Sequence, residues 1–180
     1  MTTPPKPKLG RDVFVADSSY VSGAVSLGDE CTIMPLVVIR GDIAEIRIGS
    51  RVNVQDGTIV HTKHGVPLDI ADDVGIGHRA VVHCRSIGAN TLIGIGAVVL
   101  DDCEIGRHCV IAAGTVLTPN TTIPDGKVVM GVPGKVVRDA TDRDIEMIDH
   151  VVQSYRLLGR QHRAGQFPNI CGNGPNTFLR

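Results

Sequence analysis

The stretch IGANTLIGIGAVVLDDCEIGRHCVIAAGTVLTPNTTIPDGKVV, residues 87–129, carries an aliphatic side chain at every sixth position: Ile87, Ile93, Val99, Ile105, Ile111, Leu117, Ile123 and Val129. Valine, isoleucine and leucine account for 51 of the 180 residues, so eight such hits from a fixed start would arise by chance about once in twenty-five thousand trials. Upstream, the same period runs through Val15, Val21, Leu27, Ile33 and Ile39, then Ile48, Val54 and Val60, then Ile70, Ile76 and Val82. It breaks at three places, with three extra residues between Ile39 and Ile48, four between Val60 and Ile70, and a third break after Val82.

A period of six suits neither a helix nor an alternating strand. It suits a triangular prism, in which each hexapeptide gives one short strand and one corner and three hexapeptides complete a coil; coils stack at about 4.8 Å. The aliphatic position points inward. Four residues later a small side chain (Cys31, Val52, Thr58, Ala80, Thr91, Ala97, Cys103, Cys109, Thr115) fits a second inward position. Glycine after the aliphatic (Gly28, Gly49, Gly77, Gly88, Gly94, Gly106) is expected to supply unusual corner angles. The fold class is therefore all-β, a parallel β-helix over residues 11–138 preceded by an N-terminal arm, residues 1–10. The turn GVPGKVVR, residues 131–138, leads off the prism, and Thr141 with Asp144 resembles a capping box. Ile145, Ile148, Val152 and Tyr155 then share one face of a C-terminal α-helix, within residues 139–165, that packs along the prism. Residues 166–180, rich in Gly, Asn and Pro, are expected to form a flexible tail.

Composition narrows the function. Eighteen basic against 19 acidic residues leave no excess positive charge for nucleic acid or an anionic membrane. The N-terminal segment lacks the apolar run of a signal peptide and no stretch is long enough to span a bilayer, so the default compartment is the cytoplasm. Five cysteines without a C-x-x-C spacing argue for reduced thiols rather than a disulfide framework or zinc knuckle.

Three histidines stand out. His61 and His83 each directly follow an inward residue, Val60 and Val82, and lie 22 residues apart. Removing the four-residue insertion leaves 18, one coil, so the two imidazoles stack on one face about 4.8 Å apart and can share one metal. His78, five residues before His83, falls on a different face and cannot readily reach the same ion within its own chain. In a threefold assembly, however, His78 of one chain faces His61 and His83 of the next. Three histidines with one open position are a catalytic rather than a structural zinc arrangement. Spacing alone leaves open the plainer alternative of solvated surface histidines, since His64, His108, His150 and His162 show that the residue is not scarce.

The segments RGDIAEIRIGSRVNVQDGTIVH (residues 40–61), GHRAVVH (77–83), IGIGAVVLD (93–101) and GVPGKVVR (131–138) together resemble the γ-class carbonic anhydrase family, over about residues 11–155. The resemblance implies a left-handed β-helix, a homotrimer, and one Zn²⁺ (or Fe²⁺ or Co²⁺) per subunit interface held by His61, His78 and His83. It further implies that Gln55 holds the water that attacks CO2, that Asn53 orients Gln55, and that Arg40, Asp42 and Asp56 form an interface ion-pair set. Tyr155 resembles a tyrosine that approaches the site from the terminal helix. Where the family's archaeal prototype carries two carboxylates linked to proton transfer, this chain has Ile43 and His64, which makes His64 the candidate proton relay. The implied reaction is reversible hydration of CO2 to bicarbonate. Two alternatives are a hexapeptide acyltransferase or coenzyme A thioesterase, which shares the fold and the GVPGKVVR turn, and a non-catalytic metal-stabilised trimeric scaffold or assembly subunit.

Overall fold

A computed structural model describes residues 5–168. The chain is a left-handed parallel β-helix with one C-terminal helix, α1 (Asp142–Arg163). The six-residue period resolves into three faces. On the first, Val21, Ile39, Val60, Val82, Val99 and Leu117 stack in register. Leu27, Ile48, Ile70, Ile87, Ile105 and Ile123 form the second, and Val15, Ile33, Val54, Ile76, Ile93, Ile111 and Val129 the third. These side chains meet in one core together with Cys31, Val52, Ala80, Ala97, Cys103 and Cys109 from the second inward positions. Burial pushes the Cys31 thiol up to about 11, which keeps it protonated and inert.

The corners are built differently from the expectation. The six glycines that follow the aliphatic positions are not the residues with positive φ; that conformation falls two residues later, at Glu30, Arg51, Arg79, Asn90, Gly96 and His108. The glycines are required because successive coils touch there: a Cβ on Gly88 would come 2.5 Å from the backbone nitrogen of Arg107, and one on Gly77 2.6 Å from that of Ile95. Close backbone approach, not conformational freedom, selects them.

At the N-terminal end, Lys8–Leu9, within the segment expected to be an arm, already pairs in parallel with Ser26–Leu27 and covers the first coil. At the other end the strand Lys127–Met130 is followed by Lys135–Asp139, which returns antiparallel to it. Beyond residue 168 the expected tail lies outside the described residues.

The outward positions differ sharply from face to face. The third is covered by α1, whose Ile148 and Val152 are buried against Val110, Val128 and Leu92. The second shows Ser26, Arg47, Asp69, Ser86, Glu104 and Thr122, a polar surface laced by Arg47–Asp69 pairing. The first shows Tyr20, Val38, Ile59, Val81, Val98 and Val116. Tyr20 and Ile59 are exposed, as are Leu36 and Ile95. Among the described residues nothing covers this apolar face.

Candidate metal centre

Both edges of that bare face carry histidines. At one edge His61 pairs with Arg40 in the parallel ladder, once the insertion within the strand Val38–Ile48 is discounted. His61 and His83 lie one coil apart, as their spacing predicts, with ring centroids 5.2 Å apart. The Nε2 of His61 lies 3.0 Å from Asp42 Oδ1, and the Nδ1 of His83 lies 2.7 Å from Asp101 Oδ1. Asp42, also paired with Arg40, is held below the usual carboxylate range: burial opposes this, but the contacts to His61, the local backbone and Arg40 outweigh it. An ionised carboxylate only accepts hydrogen bonds. Each imidazole therefore directs its N–H to its aspartate, and the other nitrogens, His61 Nδ1 and His83 Nε2, face each other at 3.2 Å.

In the neutral rings those two nitrogens are both bare lone pairs, which repel unless a cation lies between them. Two nitrogens each 2.0–2.1 Å from a tetrahedral ion are separated by about 3.3 Å. The separation of the donor pair thus matches the one that a shared divalent metal would need.

At the other edge, in the corner between the third and first faces, stands His78. Its Nδ1 lies 2.9 Å from Asp56 Oδ2 and its Nε2 3.3 Å from the hydroxyl of Tyr155 on α1. Burial and then the nearby Asp56 charge push the Tyr155 phenol up, so it stays a donor. Gln55 and Asn53 lie one coil below and are buried. Gln55 Nε2 donates to Asn53 Oδ1 at 3.0 Å, leaving its Oε1 unpaired among the described residues. Within the chain Asp56 pairs with His78, not with Arg40. His64 is exposed, on the loop between the strands Ile59–His61 and Leu68–Ile70. That loop is tied down by Lys63, which bonds Asp102 at 2.5 Å.

The sequence-derived residues therefore fall into two groups. Arg40, Asp42, His61 and His83 gather at one edge, and Asn53, Gln55, Asp56, His78 and Tyr155 at the other. Among the described residues, no group of three His, Cys, Asp or Glu side chains within one chain could hold a metal. Asp101 was not singled out by sequence; the signal available was its offset of 18 residues, one coil, from His83.

The family profile described as dynactin subunit 5 matches residues 8–159. A mitochondrial γ carbonic anhydrase 2 of Arabidopsis thaliana is 37% identical over 162 residues, covering 87% of this chain and 58% of that protein. The chain thus spans little more than half the length of this relative. A carbonic anhydrase of Geobacillus kaustophilus is 38% identical over 160 residues, covering 89% of this chain and 88% of that one. A solved Bacillus cereus protein described as a candidate acetyltransferase has a TM-score of 0.86 at 36% identity, over 89% of this chain and 94% of that one.

Proposed function

Because the chain belongs to the γ-class carbonic anhydrase family, and to the family that the dynactin subunit 5 profile describes, we propose that it is a trimeric, metal-dependent enzyme hydrating CO2 to bicarbonate. The observation that carries the reading is the facing pair of bare nitrogens on His61 and His83 at the rim of an uncovered apolar face, with His78 at the opposite rim. Burying that face against a second copy removes apolar surface from water. In a closed ring every face meets the neighbour's opposite edge. The two half-sites then combine, His61 and His83 from one chain with His78 from the next. Tyr155, which now lies 3.3 Å from His78 Nε2, would yield that nitrogen to the ion.

When bound, a divalent ion such as Zn²⁺, Fe²⁺ or Co²⁺ supplies a Lewis acid that lets water ionise near pH 7. The protein's own groups do the rest. Asn53 holds the Gln55 amide so that Oε1 is the free end, and this oxygen accepts a hydrogen bond from the attacking water and orients it toward CO2. Ile59, two residues before His61, and Ile95 are exposed and apolar, and beside the site in the assembly they would favour a neutral apolar substrate over its charged product, which helps bicarbonate leave. His64, exposed on its tethered loop, takes the released proton and passes it to buffer.

The test is stopped-flow CO2 hydration on protein reconstituted anaerobically with Zn²⁺, Fe²⁺ or Co²⁺, with mass and metal content measured in parallel. Trimers with one metal per chain and a rate above the buffer reaction are expected. Metal-loaded trimers without hydration would favour the scaffold, a reading that the dynactin subunit 5 match supports. Acyl transfer from coenzyme A is the reading favoured by the Bacillus cereus likeness; a histidine held by an aspartate could serve it as general base, but it gives the facing nitrogens of His61 and His83 no task, and metal-independent release of free coenzyme A would establish it. No helix among the described residues is long and apolar enough to cross a membrane, and the proposed site of action is the cytoplasm.

A further inference from the structure

All three histidines have one ring nitrogen tied to an aspartate: His61 to Asp42, His78 to Asp56 and His83 to Asp101. The Asp101 contact is the shortest of these, at 2.7 Å against 3.0 and 2.9 Å. Its corner is braced by backbone, as is that of Asp56, whose carbonyl accepts from Arg79 at 2.9 Å, and in addition by a side chain. The backbone carbonyl of Asp101 accepts from Asn120 at 2.9 Å in the next coil. Its neighbour Asp102, in the left-handed region with φ 58°, is bonded by Lys63 at 2.5 Å. Backbone and neighbouring side chain are thus both anchored, and Asp101 is aimed at a ring it did not have to search for.

Resting on the metal-centre reading above, we propose that Asp101 is a positioning residue of the metal centre: by accepting the Nδ1–H of His83 it fixes the tautomer and ring plane that present Nε2 toward His61 and the ion. Without it, the His83 proton could occupy either nitrogen, and rings protonated at Nε2 would oppose the cation. A carboxylate contributes further by making the imidazole a more electron-rich ligand. An asparagine in its place would retain an oxygen that accepts the N–H but not the charge.

The experiment compares Co²⁺ affinity, by chelator competition, and the visible Co²⁺ spectrum in the wild type, Asp101→Ala and Asp101→Asn, with trimer mass and apo melting temperature as controls. Asp101→Ala should bind Co²⁺ roughly ten- to a hundredfold more weakly, with an altered spectrum, an intact trimer and an unchanged apo melt. Asp101→Asn should recover part of the affinity and most of the spectrum. Wild-type affinity and spectrum in Asp101→Ala, while the wild type itself binds Co²⁺, would overturn this inference alone. A wild type that takes up no Co²⁺ would overturn the metal-centre reading as well. Should the alanine variant not fold, Asp101→Asn decides: unchanged binding counts against the proposal, and a several-fold loss with a wild-type apo melt counts for it.

Discussion

Gly159 of helix α1 lies directly against Thr32 of the third face: a Cβ on the glycine would come 2.5 Å from the Thr32 Oγ1, and that hydroxyl already donates to the carbonyl of Tyr155 at 3.0 Å. The helix therefore touches the prism by backbone at the turn that presents Tyr155 to His78. Gly→Ala in a helix interior ordinarily gains about 1 kcal/mol. Thr32 is buried, β-branched and unable to yield, so Gly159→Ala should instead cost about 1–3 kcal/mol. Thermal melts check this, with Thr32→Ala/Gly159→Ala recovering most of the loss. A raised melting temperature in the single variant would show that the helix has room.

Sharing of the centre between chains predicts complementation. His61→Ala and His78→Ala trimers should each lose metal, because each lacks one ligand in every site. Trimers reassembled from both should regain part of it, since some interfaces then hold all three histidines. Mixed trimers that form yet bind no metal would exclude ligands from two chains.

Gln55 is expected to act on water, not on the ion. Gln55→Ala should retain metal and lower CO2 hydration by roughly ten- to a thousandfold, the range for a positioned catalytic hydrogen bond. Metal analysis beside stopped-flow rates distinguishes this from a supporting role, in which metal itself would be lost.

For His64 the expectation concerns buffer. His64→Ala should lower kcat in dilute buffer, leave kcat/KM for CO2 nearly unchanged, and recover with added imidazole, because proton export follows the attack step that kcat/KM reports. An unaltered kcat in dilute buffer would send the search to Tyr155 or to direct transfer to solvent.

Glu30 ties the prism to α1. Its carboxylate accepts from Arg156 at 2.7 Å and Arg160 at 2.5 Å, which hold it below the usual glutamate range despite partial burial. A depressed folded pKa means that the stabilisation is fully present above the unfolded value, about 4.3, and is lost as pH falls through the folded value. Melting temperatures should thus decline below about pH 4.3. Glu30→Gln should lower stability at pH 7 by about 1–2 kcal/mol and shallow that acid slope, whereas parallel wild-type and variant curves would remove Glu30 from the acid response.

The fold was legible because an inward aliphatic every sixth residue is a strong constraint, and the break before Ile48 reappears as a local departure in the ladder, that before Ile70 as a loop. The bulge between Gly23 and Val25 absorbs the three extra residues that precede Ile48. Stacking of His61 on His83 followed from counting. Two features did not follow. The corner glycines were misassigned because sequence records that a side chain is missing, not whether φ or a neighbouring backbone excludes it. Asp101 and Glu30 stayed hidden because their partners depend on corner geometry and, for Glu30, on contacts 126 and 130 residues away.

The antiparallel return of Lys135–Asp139 bears on how the molecule stays finite. A stack of parallel coils has in principle no last member, since each coil offers the next a ready template of unpaired backbone groups. Here the strand Lys127–Met130 spends its free edge on its own chain running the other way, and Val116 is engaged by Gly131 and Gly134 in the intervening turn. A foreign coil arriving parallel finds two of the three sides already taken, and fibrous growth along the axis is closed off by about nine residues of the protein's own sequence.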